Sequence, residues 1–508
     1  MSSSSTPARS GLYSIAKDAF LHALKSVAPE QLVQASVKLD SSKTRLLIAS
    51  QTGEAPVEFD LQKTPSILIL GAGKATQELV SGLLHVLKEC AVPSLKVQVQ
   101  ASYPKGQTAH ANFPPLPSAT VSLLEASHPI SDECTVTATN AQVELLYNCQ
   151  PNTLAIVLLS GGGSALYETT ASFGGASPSK ISLCDLQSAN RVLIESGASI
   201  TEINIIRKHF SQVKGGRTAQ HAMKSGRISA LIGLYLSDVV GNDLSSVASG
   251  PTSPDVSTFA DCHSIISKYG IRDKLPEAIC HHLDAAVEET PKPGDAIFKD
   301  KVFNFLIGSA DTSAQAATSY LKPLGFQAEI YSNQLDGEAL SYGHGLAAFI
   351  EKQSALLYHT ANPHEGGQHP LEKLAKRRVA LVATGEFTVT IKGKGVGGRN
   401  QEMLLAFLHQ LSKGNKTLND IDFAVLSCAF DGIEGNSPAT GAIVDSTSIA
   451  RLAASNLCTP STNEAIEAYL KRKLDNNDSY SVFGPMQDAV ITGYTGTNVN
   501  DLTMILMQ

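Results

Sequence analysis

Leu158-Leu159-Ser160-Gly161-Gly162-Gly163-Ser164-Ala165-Leu166 decides the reading of this chain. The apolar run Leu154 to Leu159 stops at three consecutive glycines flanked by two serines. A buried strand that hands over to such a turn leaves bare backbone N–H groups that can reach an anion. Working outward, Ile67 to Leu70 leads into Gly71-Ala72-Gly73-Lys74-Ala75. A third stretch runs Lys392-Gly393-Lys394-Gly395-Val396-Gly397-Gly398-Arg399-Asn400-Gln401-Glu402. Two of the three turns carry a cation, so the set reads as phosphate handling.

Composition bounds the alternatives. A chain of 508 residues is too long for one core, which predicts two large domains. Hydrophobic residues at 43% and charged residues at 17% give the balance of an ordinary globular protein. A formal net charge of −7 argues against nucleic acid as a partner. No apolar run in the sequence nears the roughly 20 residues that span a bilayer, so no membrane partner is expected. Eight cysteines without a C-x-x-C pair predict reduced thiols in an intracellular protein. Cys280-His281-His282 has the residue types of a metal site, but adjacent helical positions face different ways.

Met1 to Ser10 is Ser-rich and reads as a disordered N-terminus. Arg9 without an acidic neighbour keeps a mitochondrial presequence as an alternative. Leu12, Ile15, Ala16, Ala19, Phe20 and Ala23 then recur at helical spacing, with Asp18 among them. That is a structural helix, which favours the cytoplasm.

Strand and helix signals alternate along the rest. Ser66 to Leu70, Leu154 to Leu159, Ile228 to Leu236, Val302 to Ile307, Ala328 to Tyr331, Arg378 to Ala383 and Phe423 to Cys428 read as strands. Thr76 to Leu87, Ser182 to Glu195 and Thr312 to Leu321 read as helices, the second opened by a capping box at Ser182 and Asp185. A further helix carries Ile203, Ile206, Phe210 and Val213 and stops at Gly215-Gly216. The alternation predicts an α/β protein: two Rossmann-like domains with mostly parallel sheets. The segment Glu288 to Asp300, with two prolines and mixed charge, reads as the linker. The domains are then 11–290 and 300–508. A polar insertion, Ala361 to Leu371, reads as an exposed loop.

In open α/β sheets ligands gather beyond the carboxyl ends of strands. Lys74, the Ser160 to Ser164 turn, Asp238, Thr384-Gly385-Glu386 and Asp431 all stand there. The first turn begins like a dinucleotide fingerprint, but Thr76 fills the place of the third glycine. There is no G-x-x-x-x-G-K-[ST] and no H-R-D with D-F-G, so neither a P-loop enzyme nor a protein kinase is indicated.

Taken in order, the motifs resemble the glycerate 2-kinases of the MOFRL type. They stand as Gly71 to Ala75, His128-Pro129-Ile130-Ser131-Asp132, Ser160 to Ala165, Arg207 to Arg217, Ser237-Asp238-Val239-Val240-Gly241 and Ala248 to Thr252. The second half matches at Gly385-Glu386-Phe387-Thr388-Val389, Gly397 to Glu402, Asp431-Gly432 and Thr495 to Leu502. Glu434 stands where the family pattern has an aspartate. The resemblance implies two α/β domains with an active site in the cleft between them. It implies ATP, Mg²⁺ and D-glycerate, with phosphoryl transfer to the 2-hydroxyl.

On this reading Lys74 and Arg399 match the family's catalytic cations, and Asp431 joins them as a metal ligand or proton acceptor. Gly71, Gly73, Ser160, Gly161, Gly162, Gly163, Ser164 and Lys214 would bind the nucleotide. Asp238 and Glu386 would hold Mg²⁺, which favours carboxylate and phosphate oxygens; the division of roles among the three carboxylates stays open. Arg207, Lys214 and Arg217 are further cations for a small anionic substrate, or a solvated basic face. His128 either touches substrate or shapes its turn. Two other classes remain: a hydroxypyruvate or tartronate oxidoreductase, which would need a nicotinamide site, and a non-catalytic sugar-acid or phosphate sensor. Oligomeric state is not legible.

Overall fold

In this computed structural model, residues 7–50, 55–108, 113–170, 181–359, 378–414, 418 and 421–508 are described, with 354–359 as backbone only. The polar insertion at 361–371 lies outside them. Contacts divide the chain into Pro29–Ser309 and a second unit formed by Met1–Ala28 with Ala310–Gln508.

The first unit opens with a small antiparallel sheet of β1 (Val37–Leu39), β2 (Arg45–Ile48) and β3 (Val57–Asp60). Its main sheet holds β4 (Ser66–Ala72), β5 (Lys96–Pro104), β6 (Ala119–Ala126), β7 (Thr153–Leu159), β8 (Ile228–Leu236) and β9 (Val302–Gly308). All pairings in it are parallel, in the order β6-β5-β4-β7-β8-β9. Parallel strands need both faces covered and so become continuous apolar runs. Every residue of β7 is buried, among them Ala155, Val157 and Leu159 against Leu68 and Leu70 of β4. The chain runs outward from β4 to β6, then returns and runs the other way from β7 to β9. The topological switch therefore falls between β4 and β7, where the first two glycine turns emerge.

The second unit's sheet holds β10 (Phe326–Leu335), β11 (Arg378–Gly385), β12 (Phe423–Ala429), β13 (Gly441–Asp445), β14 (Ala489–Val490) and β15 (Asp501–Met507), ordered β10-β11-β15-β12-β13-β14. Here the expectation of a mostly parallel sheet is corrected. Only β10 and β11 pair in parallel; β15 inserts between β11 and β12 in the opposite sense, and β13 and β14 follow antiparallel.

The domain bounds are also corrected. Strand β9 completes the first sheet beside β8, so the boundary falls after Ser309 and not at 288–300. Pro291 there belongs to packed structure: Asp255 N–H donates to Pro291 O at 2.8 Å, and Thr290 Oγ1 to Asp255 Oδ2 at 3.0 Å. The helix Gly11–Ser26 stands with the second unit. Its apolar face needs a partner, and Phe20 finds Phe430 at 5.5 Å between ring centroids. Arg9 and Ser10 are not a loose tail. Arg9 Nε donates to Asp488 at 3.2 Å, Ser10 N–H to Asp445 at 2.9 Å, and Ser10 Oγ caps the helix by accepting from Leu12 N–H at 3.1 Å.

Elsewhere the elements fall where the pattern puts them. The Ser182–Asp185 capping box opens the helix Leu183–Glu195. The helix Ile200–Phe210 stops short of Val213 because Ser211 Oγ accepts the N–H groups of Val213 and Lys214.

Candidate active site

Two glycine turns meet at the switch point because Ala72 and Leu159, the last residues of β4 and β7, are partners in register. Lys74 N–H donates to Gly161 O at 2.8 Å and Ala75 N–H to Ser160 Oγ at 3.1 Å. Gly71 N–H is held by Gln142 Oε1 at 2.9 Å. Gly71 and Ser160 are buried and fasten the turns together, and Gly73 packs against Ser160, where a Cβ would lie 2.8 Å from Ser160 O. The N–H groups of Gly73, Gly161, Gly162 and Ser164 carry no hydrogen bond to a described residue. They are the donors left for an anion. Gly162 has φ +81°, and a Cβ there would lie 3.2 Å from the His128 ring and 3.3 Å from Lys74 Cγ. Only glycine lets both side chains close over the turn.

The turn is braced from behind. Gly163 backs onto Ala248, and Ser164 Oγ meets Ser249 Oγ at 2.8 Å. Ala248 and Ser249 hold φ of 51° and 60°, left-handed backbone that costs on the order of 1–3 kcal/mol per residue. Gly215 N–H to Ser249 O at 2.9 Å and Gly216 N–H to Gly250 O at 2.7 Å help to hold it. Strain of this kind collects where a binding surface must be exact in shape.

The turn opens into a cavity of about 540 Å³ lined in part by His128, Gly162, Ser164, Asn190, Arg207 and Lys214. The basic residues are not a solvated face. Lys214 is fully buried; its ammonium donates to Glu168 and to Tyr167 O, the latter at 3.1 Å. Burial pulls its pKa down, and the Glu168 carboxylate opposes that shift. Glu168 also accepts from Ser211 Oγ at 2.7 Å, so Lys214 is a charge already balanced. Arg217 is buried and donates to Glu288 O at 2.9 Å. Arg207 differs: its Nε donates to the neutral Asn190 Oδ1 at 2.7 Å. Burial lowers its pKa, and only Glu168 offsets that. Of Arg207, Lys214 and Arg217 it is the cation least compensated by protein. Burial, then Lys74, lowers the pKa of His128, which keeps its ring neutral near pH 7.

In the second unit, β15 brings its first residue, Asp501, beside Gly385 of β11 and Ala429 of β12. Arg399 opens the helix Arg399–Ser412 and is clamped there. Its Nε and NH2 donate to the two Asp501 oxygens at 2.6 and 2.7 Å, and NH1 stands 2.8 Å from Glu386 Oε1. Burial works against this charge, but Asp501 and Glu386 outweigh it and hold the guanidinium above its ordinary pKa. Asp431 lies half-buried two residues past β12. Glu434 accepts from the N–H groups of Asn400 and Gln401 at 2.7 and 2.9 Å. A protein carboxylate thus occupies the helix N-terminus, where a phosphate would otherwise be drawn.

From Lys392 to Gly397 the third glycine stretch is corrected as a phosphate cradle. Its N–H groups there are spent on the protein: Lys392 and Gly393 on Asn477 Oδ1, Lys394 on Asn476 Oδ1, Gly395 on Asn476 O, Val396 on Asp478 Oδ1 and Gly397 on Asn436 Oδ1. Glycine serves close packing, since a Cβ on Gly398 would lie 2.5 Å from Glu434 Cγ.

Asp238 follows β8 and is half-buried. Among the described residues no group of three or more His, Cys, Asp or Glu is arranged to hold a metal. Cys280, His281 and His282 turn to separate partners: Arg272 O, Glu277 and His209 O. No disulfide joins the cysteines. Among the described residues no helix is long and apolar enough to cross a membrane.

Residues 15–284 match a family described as a domain of unknown function, DUF4147, and residues 379–501 match the MOFRL family. A D-glycerate 2-kinase from Thermotoga maritima is 36% identical over 76% of this chain and 80% of its own. The chain belongs to the glycerate kinase family. A glycerate kinase from Rattus norvegicus is 31% identical over 97% of this chain and 92% of its own. The crystal structure of a glycerate kinase from Thermotoga maritima superposes with a TM-score of 0.72, covering 98% of this chain and 99% of that one at 30% identity. A relative from Agrobacterium vitis, 31% identical over 91% of this chain and 92% of its own, is provisionally named a hydroxypyruvate reductase. Within this glycerate kinase fold, sequence reasoning missed two carboxylates as site residues, Glu168 and Asp501. Glu168 follows the second turn by only a few residues, and Asp501 opens the last apolar run. Both placements were signals.

Proposed function

We propose that this chain transfers the γ-phosphoryl group of ATP to the 2-hydroxyl of D-glycerate, giving 2-phospho-D-glycerate and ADP. The observation that carries the reading is the 160–164 turn. It offers unspent N–H donors at the switch point, with Lys74 and His128 closed over Gly162 and a cavity in front. Phosphoryl transfer asks a protein for position and positive charge more than for covalent chemistry. Lys74 is the compact cation for the transferring oxygens. Arg207 takes the glycerate carboxylate, since its fork is suited to bidentate binding. Gly161, Gly162 and Ser164 hold nucleotide phosphate, and neutral His128 accepts a hydrogen bond from substrate.

Arg399 acts as the second cation through exchange. Asp501 is 3% exposed in its side chain and fixed, whereas Glu386 is 51% exposed. A phosphate oxygen would therefore displace Glu386 from the guanidinium and leave the Asp501 clamp in place. Asp431 accepts the proton of the attacking hydroxyl. Mg²⁺ takes one or two carboxylates and completes its shell with phosphate oxygens, so a preformed cluster is not required. Asp238 fits as such a donor at the end of β8; Glu386, committed to Arg399, fits less well. When bound, Mg²⁺ would neutralise phosphate charge. The unpaired cysteines favour the cytoplasm as compartment.

The reductase named in one relative is the second reading. It would require a dinucleotide turn, yet the N–H groups of Lys74 and Ala75 are held by Gly161 and Ser160. Coupled assay of ADP release tests the proposal: release should require D-glycerate and fall sharply in Lys74→Ala. Rapid NADH oxidation with hydroxypyruvate in the absence of ATP would overturn it.

A further inference from the structure

Arg207 lines the cavity of the first unit from the helix Ile200–Phe210, and Asn190 lines it from the helix Leu183–Glu195. The two helices share one apolar cluster, in which Leu186, Ala189 and Leu193 pack with Ile203, Ile206 and Phe210. On the helix Leu183–Glu195, Gln187 and Asn190 stand three residues apart, hence on one face. Gln187 Nε2 donates to Ser131 O at 2.8 Å, and Ser131 Oγ donates to Ala165 O at 2.7 Å. The helix is thereby tied to the glycine turn, and Asn190 keeps a set place relative to the turn's N–H donors.

Arg207 Nε donates to Asn190 Oδ1 at 2.7 Å. The two terminal amino groups of Arg207 carry no hydrogen bond or ion pair to a described residue. A guanidinium held at Nε has its plane fixed and keeps its NH1–NH2 edge for a bidentate contact. The charge of the acceptor matters as much as its place. Arg399 has Nε and NH2 on the Asp501 carboxylate, which fixes that guanidinium and neutralises it. Asn190 supplies the same kind of acceptor without a charge, so Arg207 is fixed and stays positive. Glu168, the carboxylate that acts on Arg207, is engaged by the Lys214 ammonium and by Ser211 Oγ. If position 190 served packing alone, a carboxylate would suit it better than an amide, since it would pair with a half-buried cation.

We propose that Asn190 is a positioning residue for D-glycerate: its amide oxygen fixes the Arg207 fork, and its neutrality keeps that fork charged for the substrate carboxylate. The inference rests on the reading that Arg207 takes this carboxylate. Steady-state kinetics and melting curves of wild type, Arg207→Ala, Asn190→Asp, Asn190→Ala and the double variant Asn190→Ala with Arg207→Ala test it. Asn190→Asp keeps the shape and an acceptor for Nε, so its melting point should match or exceed that of wild type. Its KM for D-glycerate should nonetheless rise about tenfold or more, the order expected when a hydrogen bond to a charged group is lost. The loss should fall on that KM rather than on kcat, and KM for ATP should stay near its wild-type value. Asn190→Ala should raise KM for D-glycerate by a smaller factor and add nothing once Arg207 is alanine, because Asn190 acts through that side chain. A wild-type KM for D-glycerate in Asn190→Asp, or an undiminished effect of Asn190→Ala in the Arg207→Ala background, would overturn the positioning role and leave the Arg207 contact standing. A wild-type KM in Arg207→Ala, or no turnover of D-glycerate by wild type, would overturn the Arg207 contact and this role with it.

Discussion

Asp501 is 2% exposed and takes two hydrogen bonds from Arg399. Removing the guanidinium leaves that carboxylate buried without its cation. Breaking one partner of a buried pair costs about 3–5 kcal/mol, so Arg399→Ala should lower the melting temperature as well as turnover. Arg399→Ala combined with Asp501→Asn should recover part of the stability and none of the activity. Melting curves and steady-state rates of the three proteins check this. An ordinary solvent-exposed cation would show no such rescue. Lys74→Ala should separate the two effects: kcat/KM falls about 10²-fold or more, as when a group that stabilises developing charge is lost, with the melting point held. Arg207→Ala should raise KM for D-glycerate by about tenfold or more, the loss of a charge-assisted contact, and leave KM for ATP near its wild-type value. An equal rise in both would move the carboxylate contact elsewhere.

The helix Arg399–Ser412 begins on Glu434, which is buried and pushed up to about pKa 7 chiefly by that burial. Between the ordinary carboxylate range, near 4.5, and 7, the folded chain keeps a proton that the unfolded chain gives up. This residue's contribution to stability therefore falls as pH rises through that window, and is level above it. His221, pushed down to about 4 by burial, works the other way: the unfolded chain binds its proton first, so its contribution rises with pH. The comparison that isolates Glu434 is Glu434→Gln against wild type. The melting point of the variant should gain on wild type between pH 5 and 7; a constant difference would refute the shift. At this scale much was legible. Strand β7 and its glycine turn could be read because a strand buried on both faces is a continuous apolar run. The Ser182–Asp185 box could be read because capping is local. The 392–396 stretch could not: its composition is that of an anion cradle, but its N–H groups are taken by Asn476, Asn477 and Asp478, some eighty positions along the chain. Strand β15 is buried throughout like β7; what its residues could not show is its place between β11 and β12, which distant pairing sets.

The chain as a whole is discontinuous in one unit. Residues 1–28 and 310–508 form it together, and no local pattern announces that a first helix will fold against strands of the last third. Pro-rich 288–300 looked like a seam because proline marks both linkers and packed turns. Phe20 is fully buried against Phe430, and Phe20→Ala should cost about 3–5 kcal/mol. Hydrogen exchange should quicken in β12 and β15 and stay unchanged in β4 to β9; the reverse pattern would place the first helix with the wrong unit. The central claim is the reaction itself, and phosphorus NMR of the product tests it most directly. Wild-type protein with ATP, Mg²⁺ and D-glycerate should yield the resonance of 2-phosphoglycerate beside ADP. A 3-phosphoglycerate resonance would contradict the proposed hydroxyl, and intact ATP beside consumed NADH and hydroxypyruvate would contradict the kinase.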